Sequence, residues 1–197
     1  MKLNKLTLFG AVAVFCFGLM FTSCSSGSDE SETETEETEM ETSADDENEN
    51  LPSPRRQAHG MIASVHATVD YGSPAVRGRE VWGALEPWGE VWRAGANATT
   101  SVTFDADVVI NGQTVAAGKY GVFMIPNEGA DWVVILNTAA EGWGAYDYNQ
   151  ENDVVRVSVS PEWTDEVAER LMYAVENGGI RFGWDRVRLF VPVQAAQ

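Results

Sequence analysis

From Leu51 to the C-terminus, Gly, Pro and Asn break the apolar residues into short runs, one about every 8 to 15 residues. That punctuation is the rhythm of an all-β sandwich or barrel. The expected fold is therefore all-β: a small antiparallel β-sandwich, jelly-roll-like or Ig-like, over residues 51–197. This stretch has the length of one ordinary domain. It can bury about 70% of its unfolded surface, so it needs no disulfide staple.

Individual strands can be read from the pattern. Ile62 to Tyr71 reads as one strand with Val65, Ala67, Val69 and Tyr71 on a shared face. Ser101–Phe104 and Val108–Ile110 stand on either side of an Asp105-Ala106-Asp107 turn. Asn111-Gly112 is a hairpin signal, because both residues tolerate φ > 0. Tyr120 to Ile125 stops at Pro126, which has no N–H for a ladder. Trp132 to Leu136 is a continuous apolar run, which suits a buried strand. In Val154 to Val159, Val155, Val157 and Val159 oppose Arg156 and Ser158.

Ahead of the domain, Lys2 and Lys5 precede an apolar run from Leu6 to Phe21, shorter than the ~20 residues a spanning helix needs. It ends in Phe21-Thr22-Ser23-Cys24, the pattern of a secretory signal. The ending resembles the bacterial lipoprotein box, with Phe21 where Leu is usual. Residues 1–23 are thus expected to be a lipoprotein signal peptide, with Cys24 as the lipidated first residue of the mature chain. An ordinary cleaved signal with a chance Cys nearby is the alternative. Cys16 would leave with the signal, so the mature domain would hold no thiol for a disulfide, a zinc-thiolate site or a nucleophile. Acyl chains on Cys24 would hold the protein to a membrane, at ~0.8 kcal/mol for each buried CH₂.

Of the 30 acidic residues, 12 lie between Ser25 and Asn50, where there is no basic residue. Such a segment cannot bury enough apolar surface to offset chain entropy, so residues 24–50 are expected to form a disordered acidic tether. Ser28-Asp29-Glu30, close behind the Cys, is similar to the acidic export signals of bacterial surface lipoproteins. The expected location is the outer membrane, facing the cell surface. A formal charge of −17 excludes a phosphate-backbone partner, since nucleic-acid binding relies on Lys and Arg displacing counterions.

Several phrases of the domain form an ordered set. They are Asp70-Tyr71 with Pro74 and Arg77-Gly78-Arg79, then Val91-Trp92-Arg93-Ala94-Gly95-Ala96-Asn97. Ala117-Gly118-Lys119-Tyr120, Phe123-Met124-Ile125-Pro126 and Trp132 to Leu136 follow. Trp143-Gly144-Ala145-Tyr146-Asp147-Tyr148 and Asp153-Val154-Val155-Arg156-Val157 complete it. From about Ser53 to Val193 the chain resembles the bacterial family called domain of unknown function 2911. The resemblance implies a small β-rich domain without an established activity. The family pattern usually has an acidic residue after the Asn of the Gly-Ala-Asn phrase. Ala98 stands there in this chain, so an acid–base role for that position is absent.

One segment reads two ways. Thr164 could cap a helix with Asp165 and Glu166 in its first turn and Val167, Leu171 and Val175 on one stripe. Alternatively Leu171, Tyr173 and Val175 alternate in a strand, and Asn177-Gly178-Gly179 turns it into Ile180 to Trp184. Local signals favour the helix slightly, whereas the resemblance and the need for hairpin partners favour the strand. The strand is the expectation.

Signals for chemistry are sparse. There is no Gly-x-Ser-x-Gly elbow, and His59 and His66 are the only His the sequence offers as a general base. Two His without thiols make no zinc site. Asp147, Asn149, Glu151 and Asp153 alternate like the start of a calcium loop, but Asn152 and Ser158 stand where that loop needs Gly and Glu. No metal, no cofactor and no catalytic residue is expected. Scattered carboxylates are too unspecific to indicate glycoside hydrolysis. The aromatic and Arg residues carry more. Trp82, Trp88 and Trp92 crowd a loop-rich stretch bracketed by Arg77, Arg79 and Arg93, while Trp143, Tyr146 and Tyr148 group around two Gly. Flat rings in loops, with Arg and Asn nearby, can hold a sugar ring or a peptide; the competing reading is a buried core with its carbonyls satisfied. The expected ligand-binding set is Arg77, Arg79, Trp88, Trp92, Arg93, Asn97, Trp143 and Tyr146. The preferred function is a glycan- or peptide-binding module. A hydrolase using a loop Arg with His66 or an Asp is one alternative, and a structural envelope protein packed against a partner is another.

Overall fold

The computed structural model describes residues 51–197. The expected signal peptide, Cys24 and the acidic tether lie outside the described residues. In chain order the strands are β1 (Arg55–Ile62), β2 (Val65–Gly72), β3 (Ser101–Phe104), β4 (Val108–Ile110), β5 (Gln113–Val115) and β6 (Gly118–Ile125). They continue as β7 (Trp132–Asn137), β8 (Asp153–Val159), β9 (Glu162–Glu176), β10 (Gly179–Pro192) and β11 (Gln194–Ala195). A single turn of 3₁₀ helix, Gln150–Asn152, precedes β8.

The strands make an open antiparallel sandwich. One layer is a six-stranded sheet in the order β1-β2-β3-β6-β7-β8. The other is built on the long β9–β10 hairpin, and β11-β4-β5 form a small third sheet. After β2 the chain crosses to the second layer and runs along β9. There Val76 N–H donates to Glu169 O at 2.7 Å, and Leu171 N–H donates to Pro74 O at 3.0 Å. Alternation explains the layering: Val65, Ala67, Val69 and Tyr71 of β2 are all buried on the inner face. β7 is a continuous apolar run because both of its faces are covered. Val134 and Leu136 enter the central core. On the other face Ile135 and Phe123 are buried, and Phe123 packs on Tyr148 of the loop before β8, ring centroids 5.0 Å apart.

The expected strand from Ile62 to Tyr71 is in fact the end of one strand and most of the next. Ala63 takes φ +53 and turns the chain, so Ile62 pairs with Val65 across a hairpin. β1 carries too many polar residues to read as a strand, and it is ordered by pairing with β2 and by close approach to β9. An added Cβ on Gly60 would meet the Val175 carbonyl at 2.7 Å. The segment that read two ways is a strand. The Thr164 capping chemistry is nonetheless used, since Thr164 Oγ1 accepts from Glu166 N–H at 3.1 Å. The bond sits where β9 bulges: Ala168 faces Asp185 while Trp163 faces Val187, leaving extra β9 residues between the two pairs. Arg188 props this irregularity by donating to the carbonyls of Asp185, Val187 and Glu166. Asn111 and Gly112 both take positive φ in the β4–β5 turn, as expected.

Aromatic rings fill one end of the sandwich. Trp82 sits between Trp132, Trp184 and Trp92, with centroids 4.6, 5.5 and 5.7 Å away and all three edge-on. The aliphatic end leaves a cavity of about 30 Å³, lined by side chains such as Val69, Phe104, Leu136 and Phe182. An apolar void of that size stays dry and cannot take a ligand.

Candidate functional site

The segment between β2 and β3 is the source of most expected site residues, and its path explains where they go. Gly89 N–H donates to Pro126 O, and Trp92 exchanges both backbone hydrogen bonds with Met124 at 2.8 Å. Val122 N–H donates to Thr100 O at 2.8 Å. Residues 89–92 and 100–104 therefore run along the same edge of β6, and 93–99 form an excursion out of that line. Ala94 at φ +52 and Asn97 at φ +63 provide its reversals. Gly72 lets the excursion approach the sheet, because an added Cβ there would overlap the Ala96 carbonyl. Backbone acceptors inside it are satisfied from several directions. The indole of Trp92 donates to Gly95 O at 3.1 Å, and Thr100 Oγ1 and the Tyr173 hydroxyl both donate to Ala94 O.

This path divides the expected ligand set. Trp92 is only 4% exposed and stacks on Trp184, so it belongs to the core and offers no face to a ligand. Trp88 is half-buried, laid over Gly83 and edge-on to Trp132. Arg77 is exposed, and its backbone N–H donates to the Glu169 carboxylate at 2.9 Å. The Arg79 guanidinium donates to the carbonyls of Ala75 and Val76. Arg79 and Arg93 do share a neighbour that was not singled out in the sequence: Glu86. Burial pushes the Glu86 carboxyl up to about 7, against the opposing pull of Arg93 and Arg79. The Arg93 Nε beside it is buried without a hydrogen-bond partner among the described residues. A carboxyl that titrates near neutrality between two guanidiniums can exchange a proton. The phrase Glu86-Pro87-Trp88, set between Arg79 and Arg93, is the only trace of it in the sequence.

Asn97, Trp143 and Tyr146 gather elsewhere. Ala98 bridges to Trp143, Gly144 N–H donates to Asn97 O at 2.9 Å, and Thr99 Oγ1 donates to Gly144 O at 3.0 Å. On this pinned loop Trp143 is 61% exposed and Tyr146 87% exposed. The Asn97 amide reaches Ser53 O at 3.4 Å. Arg55 clamps the same corner: it pairs with Asp70 at 2.5 Å and donates to the carbonyls of Ala98 and Thr99. An open depression lined by Arg55, Arg56, Gln57 and Asp70 lies beside the clamp.

The base of the aromatic loop is held by a partly buried polar network. Asp153 accepts from Asn137 Nδ2 at 2.7 Å, from Arg156 at 2.7 Å and from the Tyr148 hydroxyl at 3.0 Å. Asn137, fully buried, also donates to Asn149 O and accepts from Ala139 N–H. Burial and the Asp153 carboxylate raise the Tyr148 hydroxyl above its ordinary value. Asp153 is thus tied into this network, and Asn149 caps the 3₁₀ turn by accepting from Glu151 N–H. No group of three or more His, Cys, Asp or Glu among the described residues is placed to hold a metal ion.

His66 is exposed on β2, stacked at 6.4 Å on His59, and its backbone N–H donates to Asp105 at 2.8 Å. Its ring makes no ion pair with a carboxylate among the described residues. Asp107 likewise accepts from Ala117 N–H, so the Asp105–Asp107 turn caps strand ends.

A family described as protein of unknown function (DUF2911) matches residues 53–193. No curated protein and no solved structure matches the chain.

Proposed function

Since the chain belongs to the DUF2911 family, whose activity is not established, we propose that it is a lipid-anchored ligand-binding module of the bacterial envelope, facing the cell surface. Its contact surface is the loop carrying Trp143 and Tyr146, with Asn97 beside them. One observation carries this reading: two aromatic rings stand 61% and 87% exposed on a loop whose backbone is pinned at Asn97, Ala98 and Thr99. A pinned loop loses little freedom on binding, so more of the ring contact appears as affinity. The test is titration calorimetry of the detergent-solubilised full chain against glycan and peptide libraries, alongside Trp143→Ala and Tyr146→Ala. A library-wide absence of binding by folded protein would sink the reading. The anchor rests on Lys2, Lys5, the apolar run and Cys24; mass spectrometry of the N-terminal peptide should find Cys24 acylated.

Glu86 favours a second reading, an acid–base enzyme working through a loop carboxyl flanked by Arg79 and Arg93. That reading expects hydrolysis of chromogenic esters or glycosides near pH 7, abolished by Glu86→Gln.

A further inference from the structure

We infer that the ligand taken by the Trp143–Tyr146 loop is a neutral oligosaccharide; this rests on the binding reading above and narrows it to one chemical class. The argument begins with the rings. The Tyr146 ring lies over Gly144, where an added Cβ would meet it at 3.1 Å, so Gly144 at φ +68 seats the ring against the loop. Trp143 is tied at its backbone by the bridge to Ala98. Both rings therefore project from a fixed base as flat apolar faces, which suit the C–H face of a pyranose.

The charge around them decides between ligand classes. Cations that reach this corner are committed. Arg55 is paired with Asp70, Lys119 with Glu141 and Arg156 with Asp153. Asp147 is exposed inside the loop and Glu151 stands exposed just beyond it, and neither has an ion-pair partner among the described residues. An acidic rim without a spare guanidinium repels uronates, sulfates and phosphates. Carboxylate and amide oxygens do accept from hydroxyls; Asp147 lies on the loop itself, its Oδ2 against Gly142, and Asn97 lies on the neighbouring excursion. The rings sit on a turn and not along an unpaired strand edge, so there is no ladder for an extended peptide to join.

The experiment uses the full chain in detergent micelles, with cellohexaose, xylohexaose and chitohexaose as neutral probes, hexagalacturonate as the acidic probe and a Lys-rich hexapeptide as the cationic one. The expected result is calorimetric binding of at least one neutral hexasaccharide, weakened tenfold or more by Trp143→Ala and by Tyr146→Ala. Asp147→Asn should weaken it severalfold, while hexagalacturonate shows no heat. If only hexagalacturonate or only the peptide binds, and does so through Trp143 and Tyr146, the neutral-sugar inference is overturned and the binding loop stands. Neutral-sugar binding that both ring substitutions leave intact overturns the site itself. No binding to any probe overturns the inference as well. Circular dichroism of each variant checks that the fold is intact, and because both rings are exposed the variants are expected to fold.

Discussion

The hydroxyl of Tyr173, deep on β9, donates to the carbonyl of Ala94 at 2.8 Å, joining the second layer of the sandwich to the excursion between β2 and β3. Burial holds this hydroxyl protonated well above its ordinary range, and Tyr71 meets its ring edge-on at 4.9 Å. Tyr173→Phe keeps the ring and removes the donor. Urea denaturation should show a loss of about 1–2 kcal/mol. Thr100 Oγ1 still serves Ala94 O in that variant, so adding Thr100→Val should cost more than the sum of the two single changes.

Glu86 links stability to pH. Its folded pKa of about 7 lies above the ordinary value of 4.5, so the native chain holds the proton more tightly than the unfolded chain. The resulting stabilisation is complete below about pH 4.5 and is lost as pH rises through about 7, a swing of about 3 kcal/mol. Urea midpoints measured at pH 5 and pH 8 should differ accordingly. In Glu86→Gln that part of the difference should disappear.

Asp153 anchors three donors, so Asp153→Ala leaves Arg156, Tyr148 and Asn137 short of an acceptor. The expected cost is about 3 kcal/mol. Hydrogen exchange should report the loss locally, with amides of residues 138–152 exchanging faster while those of β2 and β3 change little. Equal acceleration throughout would mean that the network supports the whole domain and not its loop.

Gly72→Ala should be among the most damaging small changes in the domain. The added methyl falls on the Ala96 carbonyl, which is backbone and cannot swing aside. A cost of about 3 kcal/mol or more is expected, read as a fall in melting temperature. Gly112→Ala meets open space and is strained only by its φ of +77. It should cost about 1 kcal/mol.

The layered fold was legible where burial is one-sided or complete. β2, β7 and β8 announce themselves because alternation, or an unbroken apolar run, is the direct imprint of a covered face. β1 was hidden because its order comes from neighbours: His59, Gln57 and Arg55 carry no apolar period. The strand at β9 competed with a helix because Thr164 makes a real local capping bond inside a bulge, and a local bond cannot reveal the β10 partner opposite. The aromatic residues show the same limit. Trp92 and Trp143 both lie in Gly-containing stretches between strands, yet one is core and the other exposed, and only the route of 93–99 back to β6 separates them. Glu86 was missed because its character comes from Arg79, Arg93 and burial, none of which is adjacent to it in the sequence.

Gln194 and Ala195 of β11 zip against Val109 and Val108 of β4, which were laid down in the first half of the domain. A polypeptide emerging N-terminus first cannot seal this corner until β11 has followed. Until then β4 and β5 remain a hairpin with an open side.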